Sequence, residues 1–183
     1  MSLHGIQLTM PEGSEAAAAV IMVAMVAAAA YIDLRYLRIP NAFTLGGAAV
    51  GLLLSLLFRG PDGLVSGLAG WALGAALFFA FFAIGVMGAG DVKLLAAVGA
   101  LMGPLFVFNA FVFTGLAGGI IAIAVAVRRR LVRYTVASVT TQLQTLVYTG
   151  WLPRPKDPKS SPLRFPYGLA IAAGSVAALF VRL

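Results

Sequence analysis

The chain has 183 residues, 61% of them hydrophobic and 10% charged, with a mean hydropathy of +0.99. A soluble domain is about 45–50% apolar and about 25% charged, so an ordinary soluble enzyme is excluded and a single all-α, polytopic membrane domain is expected. The net charge of +7 does not signal nucleic acid, because Lys and Arg flank apolar segments instead of covering a soluble face.

Residues 1–14 read as a polar tail. Glu12 and Glu15 precede or open the first apolar run and no Lys or Arg does, so no cleavable signal peptide is expected. Six membrane helices follow. The first spans about Glu15–Tyr31, and the second about Asn41–Phe58, with Pro40 and Asn41 as its start. A turn over Arg59–Gly63 leads to the third, about Leu64–Met87. The glycines at 88 and 90 interrupt the chain, and a short fourth helix runs from Asp91 to the break at Gly103-Pro104. The fifth spans about Leu105–Val127 and the sixth about Pro166–Val181. Between these last two, residues 131–165 hold a cytoplasmic interfacial helix and a proline-rich loop. Val132, Val136, Val139, Leu143 and Leu146 recur at helical spacing there, with Tyr148 and Trp151 at headgroup depth.

Basic residues fix the orientation. With Asp33 placed on the cytoplasmic side, positions 35, 38, 93, 128, 129, 130, 133, 154, 156, 159 and 164 all fall inside, which is 11 of the 13 Lys and Arg residues. Only Arg59 and Arg182 fall outside. The N-terminus and the C-terminus are therefore both expected outside, in the cytoplasmic membrane. The basic inner face should favour anionic lipids.

Against this background the acids stand out. There are six, and Glu12, Glu15, Asp62 and Asp157 lie in tails or loops. Asp33 and Asp91 instead close apolar segments on separate helices, at the same depth near the cytoplasmic surface. A carboxylate at a bilayer edge is costly and is a functional candidate, and two of them are the minimum equipment for acid–base hydrolysis with water. The fourth helix, 12 residues or about 18 Å, is too short to span alone. Short, glycine-broken membrane helices occur where backbone lines a cavity.

Structural readings compete at each position. Asp33 could face headgroups and solvent, and Asp91 could cap the fourth helix. Lys93 and Tyr167 could be interfacial anchors, and Pro166 suits a first helical turn. Gly88 and Gly90 permit either a sharp turn or a close backbone approach. A phosphate loop is disfavoured because neither Walker nor Rossmann context is present. Without cysteine, and with one histidine, His4, in the tail, no metal or other cofactor is implied.

Three strings together carry a resemblance. They are Asp33 with Ile39-Pro40-Asn41, then Gly88-Ala89-Gly90-Asp91-Val92-Lys93-Leu94, then Pro166-Tyr167-Gly168-Leu169-Ala170-Ile171. In this order they resemble the type IV prepilin peptidases, membrane aspartyl peptidases of the Gly-x-Gly-Asp class, over residues 15–182. The resemblance implies that Asp33 and Asp91 are the catalytic pair. The substrate would be a type IV pilin-like precursor, cut after its short basic leader at the cytoplasmic face. Larger members resemble bifunctional enzymes with an added cytoplasmic region, often with Cys-x-x-Cys, tied to N-methylation. The short Asp33–Asn41 segment resembles instead the short form linked to tight-adherence (Flp) pili, or the archaeal preflagellin peptidases. Two further classes remain: a proton- or cation-coupled transporter using Asp33 and Asp91, and a non-catalytic assembly subunit.

Overall fold

The computed structural model of the protein describes residues 12–36, 39–83, 87–128 and 167–180, and every element among them is an α-helix. The expected interfacial helix and loop over 131–165, Pro166 and residues 1–11 of the expected tail lie outside the described residues.

Helix α1 spans Glu12–Tyr36, longer at both ends than the apolar run suggested. Its two alanine tetrads, 16–19 and 27–30, are strong helix formers, and they carry the helix through the polar residues that follow. Pro40 then biases Ile39 away from helical geometry. Its carbonyl accepts the Phe43 and Thr44 N–H groups at 3.1 and 3.4 Å, which opens α2 at Asn41 as expected.

Helix α2, Asn41–Ala83, holds 43 residues. The expected turn over Arg59–Gly63 narrows to one non-helical residue, Gly60, at φ 68° and ψ −156°, followed by Pro61. Glycine takes this left-handed φ without a Cβ penalty, and Pro61 is preset to start the next helical stretch. Contacts with α3 (Ala89–Met102) show that the chain reverses there. In the first arm, Gly47 faces Ala97 and Gly51 faces Ala100 and Leu101. In the second arm, Gly67 faces Ala100 and Gly74 faces Leu95 and Ala96. The two arms are thus antiparallel, and α3 lies against both.

Helix α3 begins at Ala89, two residues before the expected start, because Gly88 serves as its N-cap. It ends at Gly103 (φ 86°), and Pro104 opens α4, Pro104–Arg128. Helix α5, Tyr167–Phe180, runs antiparallel to α4: Gly174 packs on Thr114, and Gly118 faces Ala170. Leu94 through Leu101 are all buried, so α3 forms the centre of the bundle. Outside, large apolar side chains such as Leu53, Leu57, Phe79, Leu105, Ile120 and Ile123 are exposed. Small residues within and large apolar residues without is the packing of helices in lipid. Glu15–Tyr36, Asn41–Ala83 and Pro104–Ala124 are long and apolar enough to cross a membrane.

The tightest crossing joins the second arm of α2 to α3. A Cβ at Gly70 would strike the Gly99 carbonyl, and a Cβ at Gly99 would strike the Gly70 carbonyl. Backbone cannot yield as a side chain can. Gly99→Val is expected to destabilise the bundle by about 3 kcal/mol or more, read as a lowered midpoint of thermal unfolding in detergent. An unchanged midpoint would mean that the two helices are not in backbone contact.

Candidate active site

Successive segments alternate in direction, so the end of α1, the starts of α2, α3 and α5 and the end of the second α2 arm meet at one end of the bundle. Asp33 lies here, inside the last turn of α1. It is 7% exposed, which overturns the reading of an acid that faces solvent. Its Oδ2 accepts the Gly168 N–H at 2.9 Å, across 135 positions of sequence. Gly168 is the second residue of α5, where the first four N–H groups have no partner within the helix and where negative charge is favoured. The glycine also keeps this approach uncrowded. A Cβ there would sit 3.0 Å from the Asp33 Cβ and Oδ2.

Asp91 is 8% exposed and stands third in α3. It does not occupy the cap position, as the sequence suggested. Its Oδ2 accepts the Gly88 N–H at 3.0 Å, and its own N–H donates to the Gly88 carbonyl at 3.1 Å. This is the half of a capping box that needs no side chain at the cap. Gly88 has ordinary extended backbone, with φ −82°, so no sharp turn demands glycine there. Gly90 serves the close approach: Ile39 lies against it, 3.2 Å from where a Cβ would be. Ile39, 6% exposed, thus seats the Ile39-Pro40-Asn41 string on the Gly-x-Gly-Asp string.

The two carboxylates lie within electrostatic range of each other, and half-buried Tyr167 lies within range of Asp91. Among the described residues, the nearby cations Lys93 and Arg35 have partners of their own. Lys93 Nζ donates to Asn41 Oδ1 at 2.9 Å, which ties α3 to the start of α2 instead of reaching for headgroups. The Arg35 guanidinium lies 5.5 Å above the Tyr31 ring, a cation–π contact one helical turn back. Asp33, Asn41, Gly88, Gly90, Asp91, Lys93, Tyr167 and Gly168 are thereby gathered at one bundle end, with Pro40 at the start of α2. Among the described residues, no three His, Asp or Glu side chains converge as metal ligands would. The role of the Gly168 N–H is not visible in sequence. A glycine following an interfacial aromatic at a helix start is its only local trace.

Two buried carboxylates, each oriented by a backbone N–H and near enough to influence one another, are equipped for proton transfer to and from a bound water or carbonyl. Comparison with known proteins places the chain among leader peptidases. The model of the type IV leader peptidase family matches residues 20–123, a stretch that includes both aspartates. The chain is 31% identical over 124 residues to the prepilin leader peptidase/N-methyltransferase of Bacillus subtilis, across 63% of this chain and 47% of that protein. It is 32% identical over 123 residues to the type 4 prepilin-like proteins leader peptide-processing enzyme of Escherichia coli O78:H11, across 63% of this chain and 46% of that one. The chain spans about half the length of these curated relatives. No solved structure matches it.

Proposed function

The chain belongs to the type IV leader peptidase family, and from that premise we propose that it is a membrane aspartic endopeptidase that removes the leader of type IV pilin-like precursors. Asp33 and Asp91 are the catalytic pair. The observation that carries this reading is their meeting at one bundle end, from helices whose acids are 58 positions apart, each clamped by a backbone N–H.

The reaction follows from the pair. Two neighbouring carboxylates share one proton more cheaply than both ionise. The ionised member takes a proton from water, whose oxygen attacks the scissile carbonyl carbon. The protonated member gives its proton to the carbonyl oxygen. When the tetrahedral intermediate collapses, the C–N bond breaks and a carboxyl group returns a proton to the leaving amine. The titration belongs to the pair, so neither residue is assigned one fixed role.

In this reading the arms of α2, together with α1, α3, α4 and α5, make six passes of the cytoplasmic membrane. Both termini lie outside, and the aspartates lie at the cytoplasmic face. Helix α3 has 14 residues, about 21 Å against a hydrocarbon core of about 30 Å. Either its end at Gly103 or its start thus falls short of a surface, and in the second case a leader junction would be drawn in and unwound there. The short form, linked to tight-adherence (Flp) pili or to archaeal preflagellins, fits better than the larger bifunctional form, because only residues 37–40 separate α1 from α2. That gap leaves no room there for an added cytoplasmic region. Acids gathered at one end, and not at the midplane, favour hydrolysis over coupled transport.

The test is co-expression with an Flp-type precursor, followed by its mass. Loss of a defined leader with the wild-type chain, and retention of the leader when residue 33 or 91 is alanine, is the expected result. Cleavage that survives either change sinks the assignment.

A further inference from the structure

Tyr167 opens α5 and is half-buried. Tyr31 and Tyr36, at the same end of the bundle, are 59% and 73% exposed, as aromatic anchors at headgroup level are. Tyr167 does not share that placement. Its backbone neighbour Gly168 is fixed to Asp33 through the 2.9 Å bond to Oδ2. Its phenol lies where the charge of Asp91 acts on it. The residue thus starts beside one acid and reaches toward the other, across the space where a water and a scissile carbonyl must be held. The family match, residues 20–123, stops short of it.

Hydrolysis by the pair builds negative charge on the carbonyl oxygen, and that charge needs a donor. The backbone N–H groups of Gly168 and Gly88 are bonded to the carboxylates themselves. Lys93 Nζ donates to Asn41 Oδ1, and the Arg35 guanidinium lies over the Tyr31 ring. We propose that the Tyr167 phenol is the donor, a third catalytic residue whose O–H holds the carbonyl oxygen of the scissile bond as it becomes an oxyanion. This rests on the aspartic peptidase reading and deepens it. A phenol suits the task, since with an ordinary pKa of about 10 it stays protonated wherever a carboxylate pair works. It is also uncharged. A cation this close would favour the ionised form of both acids and strip the pair of its shared proton, whereas a neutral donor leaves that proton in place. The start of α5 adds a field that favours negative charge. No proton leaves the phenol: the protonated aspartate still transfers its own to the oxygen, and Tyr167 stabilises the charge present before that transfer is complete.

The experiment uses the full chain in detergent micelles and a synthetic Flp-type precursor peptide, and compares the wild type with Tyr167→Phe. Phenylalanine keeps the ring and removes only the hydroxyl. The expected result is a fall in kcat of about 10²-fold, the scale of one lost oxyanion donor. KM should stay within about twofold, because the interaction forms only in the transition state. The thermal midpoint should not move, and cleavage rate against pH should keep the same limbs at a lower height, because the phenol does not titrate there. Tyr36→Phe, at the exposed tyrosine, should leave kcat unchanged. A loss of less than about tenfold in Tyr167→Phe, while Asp33→Asn abolishes cleavage, would overturn the role of Tyr167 and leave the peptidase reading standing. A loss accompanied by a lower midpoint would equally overturn it, because the hydroxyl would then hold the bundle together. So would a shifted pH limb, because the hydroxyl would then act on the titration of the pair. If the wild-type chain does not cleave the peptide, the peptidase reading and the role of Tyr167 fall together.

Discussion

Asp33→Asn and Asp91→Asn are each expected to lower leader removal by about 10³-fold or more, the scale of a lost general acid or base, while the bundle stays folded. Asparagine matches aspartate in size, and its amide oxygen can still accept the N–H of Gly168 or Gly88 that now binds each carboxylate. What it cannot do is exchange a proton. The loss should therefore appear in kcat, with the thermal midpoint in detergent little changed. The two effects should also fail to add. A dyad that shares one proton is disabled by one substitution, so the double variant should be no slower than the slower single variant, as for other catalytic residues that act as a unit. Additive losses would mean that the aspartates act in separate steps. For the wild type, cleavage rate against pH should be bell-shaped, since the pair is competent only in its singly protonated form. Either asparagine variant should lose that shape along with its activity.

The aspartates are legible in the sequence because acid is so rare in this chain that its placement carries information. A carboxylate that closes an apolar segment has few reasons to be there. The reversal at residues 59–63 is legible for a similar reason: glycine and proline mark it, and a single positive φ at Gly60 suffices. Helix ends are less legible. Hydropathy reports where lipid ends and not where helix ends, so α1 continues past Tyr31 and takes Asp33 inside it. The burial of α3 is not legible at all. In a soluble helix, apolar and polar faces alternate and disclose the core. Here the outer surface is as apolar as the interior, and the difference lies in size: glycines 51, 67, 70 and 74 turn inward while Leu53, Leu57 and Phe79 turn outward. The role of Lys93 is hidden for another reason. Its partner Asn41 is 52 positions away, and no local pattern announces it.

The support of the two acids is asymmetric, and this has a measurable result. Asp91 is held by the start of its own helix, through Gly88. Asp33 is held by α5, a helix that arrives from the far end of the sequence. Gly168→Ala should therefore misplace Asp33 and leave Asp91 alone. The added Cβ would meet the Asp33 Cβ and Oδ2 at 3.0 Å and its Cγ at 3.3 Å, three contacts that α1 and α5 can relieve only by moving apart. A displacement of about 1 Å costs about 10²-fold when a catalytic group must be aligned. We expect a loss of that order in kcat, smaller than for Asp33→Asn, with KM nearly unchanged. Stability should fall by about 1–3 kcal/mol, the usual range for overpacking. Gly88→Ala is the internal comparison. Its Cβ would approach only the Asp91 Oδ2, at 3.3 Å, and its N–H donor remains, so its loss should be less than about tenfold. Equal effects from the two alanines would remove the asymmetry. A Gly168→Ala enzyme with full kcat would mean that Asp33 keeps its position without α5. The family match ends at residue 123, well before α5, so α5 would then serve packing alone. A hundredfold loss would instead make the last helix part of the catalytic apparatus, supplying one backbone N–H and the one residue small enough to deliver it.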